Sequence, residues 1–432
     1  MPRRLDASSP DFAAQFADFL TAKRNTEATA DQAARDIVTA VRAEGDAALF
    51  TYTQRFDRFP IGPDTIRIRP EEMADAFAAT PQPQREALAL AAARIRAFHE
   101  QQRPADLDYT DADGVGLGLR WTPLDSVGVY VPGGTAAYPS SVLMNVIPAK
   151  VAGVARIAMA VPTPDNQLNP LVLVAAHVAG VTEAYRMGGA QAVAALAYGT
   201  DSVPAVDKIV GPGNAYVAAA KRLVFGQVGI DTIAGPSEVL IVAEAGRAPA
   251  EWLAADLLAQ AEHDTAAQSI LISPDSVLLD AVEAAVEITL AKLPRGDIAS
   301  ASWRDHGALI HVPDLEAALP LVNAIAAEHL QLVLGNPRMF ADQVRHAGAI
   351  FLGAYTPEAA GDYVGGPNHV LPTDRSARFS SGLGLLDFLK RTTLLECDSA
   401  ALTKIGPAAV TLAQAEGLDA HALSVALRLG SA

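Results

Sequence analysis

Residues 126–162, SVGVYVPGGTAAYPSSVLMNVIPAKVAGVARIAMAVP, read as strand, turn, helix and strand. SVGVY is a short apolar run closed by a Pro-Gly-Gly turn signal. SSVLMNVIPAKVAGV repeats its apolar residues at helical spacing, and RIAMAV is again short and apolar. Two such runs joined by a helix make a βαβ unit. Their near-continuous apolarity marks strands covered on both faces of a parallel sheet. Downstream the alternation continues: helix 170–181, strand 183–187 (EAYRM), helix 189–199, the strand DKIV and helix 214–226. A second α/β run begins at VLIVA (239–243) and passes through EWLAADLLAQAEH, SILIS, a helix near 275–293, ALIHV, LEAALPLVNAIAAEH, LQLVL and AIFLG. The predicted fold class is α/β with two parallel sheets.

Working outward, residues 9–50 and 71–102 read as helical, TIRIRP (65–70) as a short strand, and 108–124 as a hairpin with turn glycines. The tail from about 385 reads as mostly helical and too small to fold alone. A length of 432 residues calls for more than one core, and an apolar fraction of 50% is that of a globular chain. The net charge of −16, with no basic stripe, argues against nucleic acid. No secretory signal or membrane span is legible. Cys397 is the single cysteine, so no disulfide can form within the chain. A cytoplasmic enzyme or binding protein is expected.

Four constellations could carry chemistry. Gln260 and His263 share a helix face, with Asp256 one turn earlier, and could offer oxygen and nitrogen to a metal. They could equally be a polar helix end. Glu328-His329 places a carboxylate beside an imidazole at a helix-to-strand junction, suited to acid–base work or to a plain helix terminus. Asp362 and His369 lie in the long Gly/Pro-rich loop 353–374, which follows a strand, where α/β proteins bind ligands. The acidic residue could also be a turn former. His421 follows Asp419, read as an N-cap, with Glu416 just upstream; alone this is an ordinary capped helix. The glycine turns 131–134 and 211–216 enter helices and could hold an anion, but neither completes a dinucleotide fingerprint.

Together these segments resemble the histidinol dehydrogenase family, in order and over nearly the whole chain. The resemblance rests on YVPGGTAAYPSSVLMNVIPAKVAGV, GGAQAVAALAYGT, KIVGPGNAYV, AGPSEVLI, DLLAQAEHD, AAEHLQL, GDYVGGPNHVLPT and EGLDAH. It implies two Rossmann-like domains with small terminal segments exchanged across a homodimer. The implied divisions are an N-terminal helical segment (1–23), a main domain (24–129 with 238–384), an NAD-contacting domain (130–237) and a helical tail (385–432). It implies zinc- and NAD-dependent oxidation of L-histidinol through the aldehyde to L-histidine, the last steps of histidine biosynthesis. Zinc would be held by Gln260, His263, Asp362 and His421. His329 would be the base and Glu328 the group that activates water. Ser237, His369 and Glu416 would line the substrate pocket together with the zinc ligands and His329, and Tyr130, Gln191 and Asn214 would touch NAD. Two rival readings are a related zinc- and NAD-dependent dehydrogenase of another small alcohol, and a binding protein that has kept only the fold.

Overall fold

A computed structural model describes residues 1–22, 28–133, 138–233 and 235–430. Gly134, the end of the turn 131–134, lies outside the described residues. Among the described residues, two six-stranded sheets and a three-stranded ribbon organise the fold.

The first sheet is wholly parallel. Its spatial order is Arg3–Asp6, Ala308–His311, Gln268–Ser273, Glu238–Ala243, His329–Val333 and Ala349–Leu352. Alternate residues feed cores on opposite faces: Leu240 and Val242 pack with Ile270 and Ile310, whereas Val239 and Ile241 pack with Leu271 and Leu309. This is the two-sided burial that continuous apolar strands require. The second sheet runs Arg67–Ile68, Glu183–Arg186, Arg156–Val161, Ser126–Tyr130, Lys208–Val210 and Gly229–Ile230, all parallel except the first pairing. Its strand order reverses between Ser126–Tyr130 and Lys208–Val210. At such a reversal the connections leave in opposite directions and open a crevice at the carboxyl ends.

The stretch 1–23 is not simply helical: Arg3–Asp6 is an edge strand, followed by a helix at Phe12–Thr21. The helices of 24–129 cover the second sheet. Ile37, Val38 and Leu49 pack on one face of the second sheet, and Met73, Ala91 and Ile95 on the other. The tail opens with a strand, Leu389–Glu396, paired antiparallel with Gly116–Pro123, which also pairs with Leu107–Thr110. The hairpin expected over 108–124 is thus present and extended by the tail. Helices Ser399–Ala415 and Asp419–Arg428 complete the tail, and Asp419 is the first helical residue rather than the cap. Among the described residues no helix is long and apolar enough to cross a membrane.

Candidate active site

A cavity of about 540 Å³ lies between the carboxyl edge of the second sheet and the amino edge of the first. Tyr130 and Gly211, at the ends of the two strands flanking the reversal, line one wall; Ser237, Glu328 and His329 line the other. The crevice rule therefore holds for the second sheet and is inverted for the first. The long loop after Ala349–Leu352 accounts for the inversion, because it carries Asp362 back to the start of the neighbouring strand, 3.9 Å from His329 Nε2. The loop is pinned by Asn368, whose amide donates to the Met144 carbonyl at 2.6 Å, and by Arg94, which donates to the Gly365 carbonyl at 3.1 Å.

Register positions the imidazole. His329 pairs with Val239 across the sheet, which sets its ring beside the Glu238 carbonyl. Nδ1 lies 3.1 Å from that oxygen. A carbonyl can only accept, so Nδ1 carries the proton and Nε2 keeps its lone pair. Nε2 is buried and has no protein hydrogen-bond partner. Burial, together with the nearby His263 and His369, drives the ring's pKa down to about 3. At neutral pH His329 is therefore a neutral base with its free nitrogen unpartnered.

Glu328 is the adjacent residue. Its carboxylate accepts from the Glu238 N–H at 3.1 Å and from the Ser237 side chain. Burial still raises its pKa well above the usual carboxylate range, with Glu238 and Asp362 adding to the rise. Glu358, not among the residues expected from sequence, stands 3.5 Å from His329 Nδ1. It too is buried and raised, chiefly by desolvation. The available signal was a carboxylate one turn before Asp362 in the same loop.

Asp362 and His369 meet in the cavity, Oδ1 to Nδ1 at 3.8 Å. Burial raises Asp362 to about 6 and lowers His369 to about 4. Gln260, on the last turn of helix Ala250–Ala261, is buried with its amide oxygen unpartnered. A buried polar atom left unmet costs about 1–3 kcal/mol, so an oxygen of this kind at a cavity wall calls for a ligand. His263 reaches the same cavity; it is open to the cleft, yet crowded enough that desolvation lowers its pKa. Asp256 is not part of this wall: its carboxylate accepts from Gln331 at 2.8 Å. Gln260, His263 and Asp362 line one cavity and offer it oxygen and nitrogen atoms of the kinds a divalent cation takes. Among the described residues, no three His, Cys, Asp or Glu side chains are grouped closely enough to hold an ion by themselves.

His421 and Glu416 are not brought to this cavity within the chain. They are exposed on the tail and line a separate shallow cavity with Leu412 and Leu418. On the other wall, Tyr130 is buried and its hydroxyl accepts from the Gly189 N–H at 3.1 Å. Asn214 lines the cavity while capping helix Ala215–Val224, accepting from Tyr216 N at 3.1 Å and Val217 N at 3.2 Å. Gln191 is buried behind the wall, its amide oxygen 2.7 Å from where a Cβ on Gly189 would sit.

Residues 20–429 match the sequence model of the family described as histidinol dehydrogenase. A histidinol dehydrogenase of Brucella suis is 61% identical over 429 residues, covering 99% of this chain and 100% of that protein. Another, from Mesorhizobium japonicum, is 60% identical over 425 residues, covering 98% and 99%. The crystal structure of histidinol dehydrogenase from Elizabethkingia anophelis superposes with a TM-score of 0.94 at 34% identity, covering 100% of this chain and 98% of that one. By this match over nearly its whole length, the chain belongs to the histidinol dehydrogenase family, a family of oxidoreductases.

Proposed function

We propose that the chain oxidises L-histidinol to L-histidine through the aldehyde, in two hydride transfers to NAD with zinc in the site. The observation that carries this reading is the meeting of Glu328 and His329 with the donors Gln260, His263 and Asp362 in one cavity, opposite Tyr130 and Asn214. When bound, zinc would orient the substrate through its imidazole and amine nitrogens, and NAD would accept the hydrides.

His329 does the first proton work. Its free Nε2 takes the hydroxyl proton as hydride leaves carbon, giving the aldehyde. The Glu238 carbonyl holds the resulting imidazolium by the hydrogen bond already made at Nδ1. Glu328 does the second: its carboxylate takes a proton from water as the oxygen adds to the aldehyde carbon. His329 returns its proton to the aldehyde oxygen as water adds, and the hydrate then loses a second hydride while Nε2 takes its hydroxyl proton, giving the acid. Ser237 and the Glu238 N–H keep that carboxylate oriented.

The chain offers three N/O donors at the cavity, and the family resemblance implies a fourth, His421. A second copy supplying His421, with Glu416 toward the substrate, completes the set and makes the working unit a homodimer. The tail suits that role, since Leu395 (72%), Leu412 (64%) and Leu427 (60%) lie exposed on one small unit. The lack of any possible internal disulfide fits a cytoplasmic setting.

Steady-state NADH formation from L-histidinol, with and without a chelator, tests the reading. The expected result is NADH release that loses most of its rate in chelator and regains it with added zinc. No NADH from L-histidinol, or full rate after metal removal, rejects it. Cys397, exposed on the tail, has no part in the route. Cys397→Ser is expected to leave kcat within about twofold, as for a surface change; loss of most turnover would point to a thiol intermediate in place of water attack.

A further inference from the structure

Lys221 sits inside an apolar helix turn, next to the buried Val217, Ala218, Ala219 and Ala220, and is itself only 2% exposed at its side chain. Its ammonium donates to the carboxylate of Asp231, which is 3% exposed, and to the Gly211 carbonyl at 3.1 Å. The other oxygen of Asp231 accepts from the Gly211 N–H at 2.7 Å. One ion pair thus holds both polar groups of a single peptide residue. Gly211 has φ +113°, and a Cβ on it would meet the Tyr130 carbonyl oxygen at 2.1 Å. Only glycine fits there, so the turn 211–214 lies directly on the end of the strand that bears Tyr130. Asp231 also follows the last strand of the second sheet, where the chain begins its crossing to Ser237 and Glu238.

Stability alone does not account for this pair. A buried ion pair does no better than break even against apolar residues of the same volume. What it supplies is a fixed geometry, and the geometry it fixes is the wall shared by Tyr130, Gly211 and Asn214. We infer that Lys221 and Asp231 are positioning residues for the dinucleotide, fastening the turn 211–214 against the Tyr130 strand so that this wall meets the cofactor already formed. The inference rests on reading that wall as the NAD side of the site. It needs no contact between either residue and the substrate, and so it separates cofactor binding from chemistry.

The test uses the zinc-loaded enzyme with Lys221→Met, Asp231→Asn and the double variant, assayed with L-histidinol and NAD. Asn at 231 keeps an acceptor for the Gly211 N–H and removes only the charge. Each single change is expected to raise KM for NAD by about tenfold or more, while KM for L-histidinol and kcat at saturating NAD stay within about threefold. The double variant is expected to be no worse than the worse single one, since it leaves no unpaired buried charge. Calorimetric titration with NAD should give Kd values that follow the same order. An NAD KM within about twofold of wild type in the singles overturns the inference. So do equal rises in both KM values, or losses that add fully in the double variant. If Lys221→Met does not fold, Asp231→Asn alone decides by the same split between the two KM values. Failure of the wild type to make NADH from L-histidinol is a different result, and it removes the reading of the site itself.

Discussion

His329→Asn is expected to lower NADH formation from L-histidinol by about 10²–10⁴-fold, the usual worth of a positioned general base, while zinc content stays at the wild-type level. The reasoning is geometric. The Asn amide can still donate toward the Glu238 carbonyl that now holds Nδ1 at 3.1 Å, so the local strand pairing survives. It has no basic lone pair to replace Nε2, the buried atom that faces the cavity unpartnered. Gln260, His263 and Asp362 come from other segments, so metal binding and histidinol binding should change little. Because burial holds the wild-type ring near a pKa of about 3, protonation of His329 does not limit the alcohol step at any pH near neutrality. The variant should therefore lose rate uniformly across that range rather than shift a pH limb. Metal analysis and single-turnover NADH traces on the same preparation check this. Normal NADH production in the zinc-loaded variant would remove His329 from the role.

Much of this arrangement could be read from the sequence, and the parts that could not share a physical reason. The inner strands declare themselves because both faces are buried and their centres are continuously apolar, as in VLIVA and ILI. Glu328 and His329 stand out as polar residues at the start of such a strand, and Asp362 and His369 as polar residues in a long loop after one. The edge strand Arg3–Asp6 could not, since Leu5 is its one apolar core residue and its partner lies some three hundred residues away. The same holds for Leu389–Glu396, whose exposed Lys, Arg and Thr residues give no period of two. Lys221 and Asp231 each look like surface charges until helix and strand bring them together. His421 and Glu416 show the limit most clearly. Only the family resemblance assigns them to the site, and a single copy of the fold holds them on an exposed tail. On the proposed reading a second copy supplies them, and no local pattern encodes a partner.

Glu328→Gln should divide the reaction in two. With L-histidinaldehyde as substrate, NADH formation is expected to fall by about 10²–10³-fold, within the range for loss of a general base. The first hydride transfer from L-histidinol should fall by less than about tenfold. Gln keeps an oxygen for the Glu238 N–H, now 3.1 Å from the carboxylate, and so preserves the turn that places His329. What it cannot do is take a proton from water. The pH profile adds an independent sign. Burial raises the Glu328 pKa well above the usual carboxylate range, and only the ionised form is a base. In the wild type the aldehyde step must therefore weaken as pH falls through that raised pKa, at a higher pH than an exposed glutamate would give. In Glu328→Gln that acid limb should vanish from the residual rate. The alcohol step, served by a ring already neutral, should lack the limb in both proteins. Equal losses in the two steps, or an acid limb that survives the substitution, would move water activation to another group.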